Sequence, residues 1–555
     1  MNLVLTALLI SIVSFEKDPV SEILQGNWKL VATLPSVPVG QDSVLVLMET
    51  NGEAGDWNVL ATGISAFKGT KVKAKKLSTD ILELSLHGPV PLECVFKLPQ
   101  VRVNQVPGAF NLRGKWFPCV LEKSTVKTLD GTKLEQPSPG SDQVEKMIKA
   151  NTHAEKIQIL QEIVRQYHAS PAVLVASGLL LENFVKDSVE KDLNAIVEIF
   201  GKTIQEYPIQ LGVESVKIQA LSMCKKKWHP EIAAQLLENI KLHIGQNQNS
   251  SVQRAILKME SSIYPLVGKP ELGQQSEEKL ETVERELDAA FDQSSVPFPV
   301  ENKTLGGFSP KNPAVLELFT GAQCPPCVAA EVAFDALNKS FVQGDLVLLQ
   351  YHLHIPAPDR LTNAYSETRA RYYGINSTPK VFINGEEGLS VGGPKGVGKA
   401  SFDSLCKSLE NYSRKKEQAA IRIELTVLTQ GAAISVGVKY QGVSEYRRCL
   451  LRLMLVEETV RYPGGNGQRL HHQVVRGSIG DPKGFGLSGT QGQETVQFNV
   501  VETRKQIEKY WEDFQTRRPF LDDERPQILE KLRIVAIIQD IESKEIIQAA
   551  RISIK

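Results

Sequence analysis

The chain has 555 residues with seven cysteines, 64 basic and 64 acidic side chains, and no formal net charge at neutral pH. That length exceeds one ordinary hydrophobic core and implies several domains, so disulfide staples are not needed for stability. The balanced charge, without a long basic block, speaks against nucleic acid as a main partner.

An apolar run from Leu3 to Val13 opens the chain. It is too short to span a bilayer as a simple helix and matches the core of a signal peptide, with Ser14 as the small residue at a cleavage point and Phe15 next. Residues 1–14 are therefore expected to direct export to the periplasm or the outside of the cell, although no Lys or Arg precedes the run. No later stretch is apolar enough to suggest a multi-span membrane protein.

Residues 22–128 read as a small β-rich domain. "SVLVLME", "WNVLATGI", "ILELSLHG" and "LECVFKL" are short alternating runs parted by Gly, Pro, Asn and Asp, the pattern of antiparallel strands. Trp28, Trp57 and Trp116 are expected in its core or rim. Cys94 and Cys119 either pair or remain two buried thiols, while Cys224, Cys406 and Cys449 read as small core hydrophobes. "LDGTKLEQPSPGSD" follows as a turn and linker.

From 143 to 291 the period changes to that of helices. Three two-helix units begin at spacings of about 38 residues and break near Ser170 and Pro171, at Pro208, and at Asn247 to Asn249, the signature of α-helical hairpin repeats. A charged helix, "EEKLETVERELDAAF", closes the array. Residues 292–313, rich in Pro, Gly, Ser and Asn, read as a linker.

Residues 314–413 alternate strand and helix in the order βαβαββα. "AVLELF" and "DLVLLQYHLHI" are buried strands, "PKVFING" and "GLSVGG" form a hairpin around Asn384 and Gly385, and "VGKASFDSLCKSLENYSRKK" is the closing helix. Residues 418–555 return to alternating strands and suggest a β-sandwich-like domain. Within it "RYPGGNGQRLHHQVVRG" reads as a loop insertion, with His471 and His472 on a surface turn, and "TRKQIEKYWEDF" as a short helix.

The chemistry-bearing stretch is "TGAQCPPCVAAE". A strand ending near Thr320 and a helix starting near Cys324 would put that thiol at a helix N-terminus, where unpaired backbone N–H groups favour the thiolate. Pro325 and Pro326 suit the first helical turn, which needs no amide hydrogen. Cys327, one turn on and less exposed, could then resolve a mixed disulfide formed at Cys324, which is thiol-disulfide exchange. About fifty residues later "GINSTPKVFING" sets Pro379 at the start of a strand. A cis Thr378–Pro379 bond would turn the Thr378 backbone toward the cysteines, where its amide and carbonyl can pair with an extended substrate.

With these residues in view, 314–413 resembles the thioredoxin-like superfamily. "ELFT", "YHLHIPAPDRLTN" and "SETRARYYGINSTPKVFING" resemble, more narrowly, secreted bacterial thioredoxin-like proteins and the group related to a bacterial outer-membrane antigen of about 28 kDa. The resemblance implies that Cys324 attacks, Cys327 resolves and Pro379 is the cis-proline. It also marks two departures. Gln323 stands where thioredoxin has tryptophan, and Leu318 stands where it has a buried aspartate, leaving Glu317 as the nearest acid if a bulge turns it to the site.

Two rivals use the same residues. His352 and His354 alternate along a strand; facing Cys324 and Cys327, they would make a soft-metal set, or His352 alone would tune the thiol as an imidazolium. "GGPKGVGKAS" imitates a phosphate loop, but Ala400 replaces the required hydroxyl. The expectation is therefore a multidomain, exported thiol-disulfide oxidoreductase acting through Cys324, Cys327, Thr378, Pro379, Glu317 and His352. No cofactor or bound metal is called for. Its partners would be protein thiols or disulfides and a redox partner protein, with peripheral membrane association as a further option. The alternative is a non-catalytic binding or cell-envelope structural protein carrying a static disulfide.

Overall fold

A computed structural model describes residues 24–554 except 33–42, 64–66, 79, 89–91, 100, 102, 113–114, 130–139, 168–169, 185–189, 227–228, 245–248, 305–307, 342–343, 389, 416–420, 444–447, 488 and 521–523. The expected signal segment 1–14 lies outside the described residues, as does most of the linker after the β-rich domain. The chain is multidomain and divides into two compact units, Met1–Glu284 and Arg285–Lys555. Among the described residues no helix is long and apolar enough to cross a membrane.

In the first unit eight strands form a closed antiparallel barrel: β1 (Gly26–Ala32), β2 (Ser43–Thr50), β3 (Gly55–Thr62), β4 (Lys71–Lys76), β5 (Ile81–His87), β6 (Leu92–Lys97), β7 (Gln105–Leu112) and β8 (Lys115–Ser124). Strand β8 returns to pair with β1, Leu121 opposite Leu30, so the sheet keeps no open edge. Alternation sorts the side chains; in β5, Leu82, Leu84 and Leu86 are buried while their neighbours are partly exposed. Trp28, Trp57, Phe96 and Phe110 fill the interior, whereas Trp116 packs on the helical core.

Cys94 and Cys119 are both buried and both free. They stand on β6 and β8 with β7 between them, and of the two expected outcomes the structure has the pair of buried thiols. Burial, together with the Cys94 thiol, pushes the Cys119 thiol well above its ordinary value, as befits inert core sulfur.

The helices that follow break close to the expected places. Those spanning His153–Gln166 and Pro171–Phe184, Glu190–Gln205 and Ile209–Lys226, and Pro230–Ile244 and Ser250–Ile263 are joined by short connections and preceded by Ser141–Lys149. Thr152 caps His153–Gln166 by accepting from Glu155 N at 3.2 Å, and Asn249 caps Ser250–Ile263 by accepting from Val252 N at 2.9 Å. Their inward faces, with Ile163, Val197, Phe200, Leu237 and Met259, share one core.

The second unit departs from the expected boundaries. Strands β9 (Ala314–Thr320), β10 (Leu346–His352), β11 (Lys380–Ile383) and β12 (Glu386–Glu387) do not make a sheet of their own. They continue through β16 (Leu470–Ser478), β15 (Cys449–Arg461), β19 (Leu532–Asp540) and β20 (Ile546–Ser553) in the order β12-β11-β9-β10-β16-β15-β19-β20. Strand β16 runs parallel to β10, with Gln350 opposite Val474. Beside this long sheet, to which the two-residue β17 (Phe485–Gly486) adds by pairing with β15, β13 (Arg422–Gln430), β14 (Ala433–Gln441) and β18 (Gln491–Asn499) make a second sheet. Its Ile434, Val436 and Val438 share a core with Leu451, Leu453 and Ile534 of the long sheet.

The stretch read as a loop insertion is a loop only over residues 462–469; Arg461 before it ends β15, the residues after it belong to β16, and His471 is buried rather than on a surface turn. The linker 292–313 also differs. The preceding helix runs Pro270–Ser295, and Val296, Phe298, Val300 and Phe308 beyond it lie on the core of the long sheet.

Strand β9 pairs with β10 in unbroken parallel register, Leu316 with Leu348 and Thr320 with His352. Side chains therefore alternate strictly between the sheet faces. Leu316, Leu318 and Leu348 share a core with the helices Val328–Ser340 and Gly398–Lys415. Val315, Phe319, Val347 and Leu349 pack instead with Tyr365 and Ala370 of the helix Ala364–Tyr373. The hairpin turn between β11 and β12 falls on Asn384 and Gly385, both at positive φ, as expected, but the returning strand is Glu386–Glu387 and not "GLSVGG".

Candidate functional site

After β9 the chain turns through Gly321 to Gln323, where Cys324 N donates to Gly321 O at 2.9 Å. Cys324 itself is extended, Pro325–Cys327 form a single 3-10 turn, and the α-helix begins only at Val328. The expected placement of Cys324 at the helix start is thus corrected by one turn. Cys324 and Cys327 are joined as a disulfide with Cα atoms 5.3 Å apart. The peptide Thr378–Pro379 is cis; it brings the Thr378 hydroxyl to 3.3 Å and its carbonyl oxygen to 3.8 Å from Cys324 Sγ.

Two expectations about the sulfurs fail. Cys324 is only 1% exposed and Cys327 fully buried, so the pair lies beneath the exposed rings of Pro325 and Pro326. On that side Gly393 N donates to Pro326 O at 2.7 Å, and a Cβ on Gly392 would come within 3.1 Å of the Pro379 ring. Nor does the first turn offer its amides to the Cys324 sulfur. Cys327 N bonds Cys324 O at 3.0 Å, Ala329 N bonds Gly393 O at 3.0 Å, Val328 N bonds Pro325 O, and the prolines have no amide hydrogen. The Thr378 hydroxyl is the donor that reaches it.

Glu317 is not part of this site. With no bulge in the β9–β10 register it stays on the Val315 and Phe319 face, opposite the helix that follows the cysteines. There Arg369 Nε and Nη2 donate to its two oxygens at 2.8 and 2.9 Å, and Tyr373 OH donates at 2.7 Å. It is a structural carboxylate in a buried ion pair.

The carboxyl group on the cysteine side is Glu331, four residues beyond Cys327, a spacing that places both on one side of the helix. It accepts from the Thr320 hydroxyl and, at 3.3 Å, from Asn466 Nδ2. Burial pushes its pKa up to about 8; the Thr320 bond opposes this, Asp335 and Asp359 add to it, and the Asn466 bond opposes it again. The i,i+4 relation to Cys327 was a readable signal for Glu331. Asn466 lies 139 positions after Cys327 in sequence and left no local signal.

A pH dependence follows. Between the ordinary glutamate value of 4.5 and about 8, the folded state keeps a proton that the unfolded chain has released, so stability falls as pH rises through that window. At about 1.4 kcal/mol per unit this amounts to a few kcal/mol. Glu331→Gln is expected to flatten the decline, as checked by urea midpoints from acidic to mildly alkaline pH; an unchanged decline would refute the assignment.

His352 ends β10 fully buried. Its Nδ1 lies 2.9 Å from Asp359 Oδ2, and the same oxygen accepts from Ala322 N at 2.6 Å. His352 thus reaches the cysteine turn through Asp359. Burial would raise the Asp359 carboxyl, but His352 and the amides of Ala322 and Leu361 outweigh it and hold it below its usual value. The edge of one imidazole meets His471 with ring centres 5.0 Å apart, and burial, with His352 beside it, pushes His471 down to about 3.

His354 does not join its neighbour at the cysteines. Its Nδ1 accepts from Asp359 N at 2.9 Å, its Nε2 lies 3.0 Å from Tyr510 OH, and its ring stacks on Phe514 at 3.6 Å. The four-residue soft-metal set is therefore not assembled. In the phosphate-loop imitation, Lys399 Nζ pairs with Asp403 at 2.7 Å.

No protein-family model matches the chain, and none of the curated proteins does. Among solved structures the chain is similar to HBP35 of Porphyromonas gingivalis at 17% sequence identity and a TM-score of 0.31, over 45% of this chain and 76% of that one.

Proposed function

We propose that the chain is an exported thiol-disulfide oxidoreductase that acts on protein thiols or disulfides through Cys324 and Cys327, carried on a thioredoxin-like segment, 314–413. The observation that carries the reading is the Cys324–Cys327 disulfide facing Thr378 of a cis Thr378–Pro379 peptide, with its hydroxyl 3.3 Å from Cys324 Sγ. The order β10-β9-β11-β12, with helices on both faces and the cysteines after the first strand, supports the thioredoxin-like part. Export rests on the apolar run Leu3–Val13 alone.

In the reducing direction, the Cys324 thiolate attacks one sulfur of a substrate disulfide. A Cys324–substrate bond forms as the substrate bond breaks, and the other substrate sulfur leaves as a thiolate. Cys327 then attacks Cys324, closing the disulfide and releasing the second thiol. Two electrons and two protons pass to the substrate, and a dithiol redox partner protein restores the pair. Glu331 lies one turn beyond Cys327 on the same side of the helix; with its pKa raised to about 8 it holds a proton at neutral pH, and it takes the one that Cys327 gives up only in its ionised form at higher pH. The first-turn amides are engaged by carbonyls, which leaves the Thr378 hydroxyl as the donor facing Cys324 Sγ.

One observation favours the alternative of a static bridge on a binding scaffold: Cys324 is 1% exposed. Equilibrating the folded full chain with glutathione buffers and counting alkylated Cys324 and Cys327 by mass separates the two. The oxidoreductase reading expects equilibrium within minutes; a pair that opens only on unfolding leaves the static bridge.

A further inference from the structure

The turn before Cys324 is held from outside segment 314–413. Residues 462–469, which join β15 to β16, lie directly on it. Asn466 N donates to Ala322 O at 3.0 Å, and Asn466 Nδ2 approaches Gly321 O at 3.4 Å and Glu331 Oε2 at 3.3 Å. The Asn466 side chain is itself fixed, because its Oδ1 accepts from Gln468 N at 3.0 Å. The approach leaves no slack: a Cβ on Gly464 would stand 2.6 Å from Ala322 O.

We propose that this loop is a working part of the cysteine site, with Asn466 as a positioning residue that holds both the turn leading into Cys324 and the carboxyl group behind Cys327. The inference rests on the oxidoreductase reading and deepens it. Exchange at Cys324 and Cys327 depends on a residue contributed by the C-terminal strands.

The charged and titratable groups around Glu331 define what Asn466 can change. From its own helix comes Asp335, whose Oδ1 lies 2.8 Å from His472 Nδ1 of β16. From the loop after β10 comes Asp359, paired with His352, and beside that pair lies His471. Both acids raise the Glu331 carboxyl, whereas Thr320 and Asn466 lower it. Thr320 sits on β9 and remains in any loop variant, so Asn466 is the donor that can be removed without touching the strand.

The test is the pH profile of exchange between the full chain and glutathione, with the unaltered protein, Glu331→Gln and Asn466→Ala compared. Loss of the Nδ2 donor is expected to move the Glu331-dependent inflection up by about half to one pH unit, and Glu331→Gln to remove it. Asn466→Ser, which like alanine keeps the backbone N–H but retains a shorter side-chain donor, is expected to give a partial shift and serves if the alanine variant does not fold. An inflection that stays in place while only the urea midpoint falls overturns the positioning role and leaves the oxidoreductase reading standing. An unaltered chain that shows no exchange overturns both.

Discussion

Cys324→Ser is expected to reduce the disulfide-exchange rate of the chain by about a thousand-fold or more, to the rate of the small thiol in the assay. A serine hydroxyl stays protonated at neutral pH and cannot form the mixed disulfide from which the second step starts. Cys327→Ser should behave differently. It keeps the attacking sulfur but loses the resolving one, so the Cys324–substrate bond persists and appears as a covalent adduct in non-reducing mass spectra. The buried position of Cys324 gives the comparison further content. If exchange requires the cover of Pro325, Pro326 and Thr378 to open, attack by a bulky protein disulfide should be slowed more than attack by glutathione. Unchanged turnover in Cys324→Ser would end the catalytic reading.

The largest stability effect is expected on the other face of the sheet. Arg369→Ala should destabilise the C-terminal unit by about 3–5 kcal/mol, read as a fall in the urea midpoint. Arg369 is 1% exposed and ties together three elements. Besides its two bonds to Glu317 of β9, its Nη1 donates to Gln539 Oε1 of β19 at 2.7 Å, and its guanidinium lies 4.7 Å from the Tyr373 ring centre. Alanine would leave the Glu317 carboxylate buried with a single tyrosine hydroxyl. Most of the cost is that stranded charge, so the double change Glu317→Leu with Arg369→Met is expected to cost less than Arg369→Ala alone. If the single change is the milder one, the ion pair is not what holds these elements. Exchange measured under folding conditions should be little altered, because Arg369 and the cysteines lie on opposite sides of β9.

What could be read from sequence was local. The step from the apolar strand ending at Thr320 into "CPPC" and a helix, the cis Thr378–Pro379 peptide and the Asn384–Gly385 turn are each set by a few adjacent residues. The breaks at Pro208 and at Asn247 to Asn249 are too. Parity decided the misreading of Glu317: one position along a strand separates the two faces of the sheet, and no bulge intervened. The carboxyl that does lie behind Cys327 sits on the helix, where a different period applies. Strand β16 was missed because "LHHQVVRGS" carries polar residues that make a surface loop the natural reading. In the fold those groups are answered from afar, His472 by Asp335 and His471 by Tyr462 O at 3.0 Å. Such partners, like Asn466 and Asp359, are brought together by tertiary structure and have no periodicity to betray them.

The pairing of β10 with β16 bears on how this molecule can be handled. A fragment cut after residue 413 would strip β16 from the flank of β10 and bare its backbone at Gln350, in a strand whose side chains are all buried. It would also forfeit the peptide that braces the residues ahead of the cysteines. Such a truncated piece would tend to clump and would report poorly on its parent, so the smallest useful surrogate for the cysteine site is the whole carboxy-terminal half.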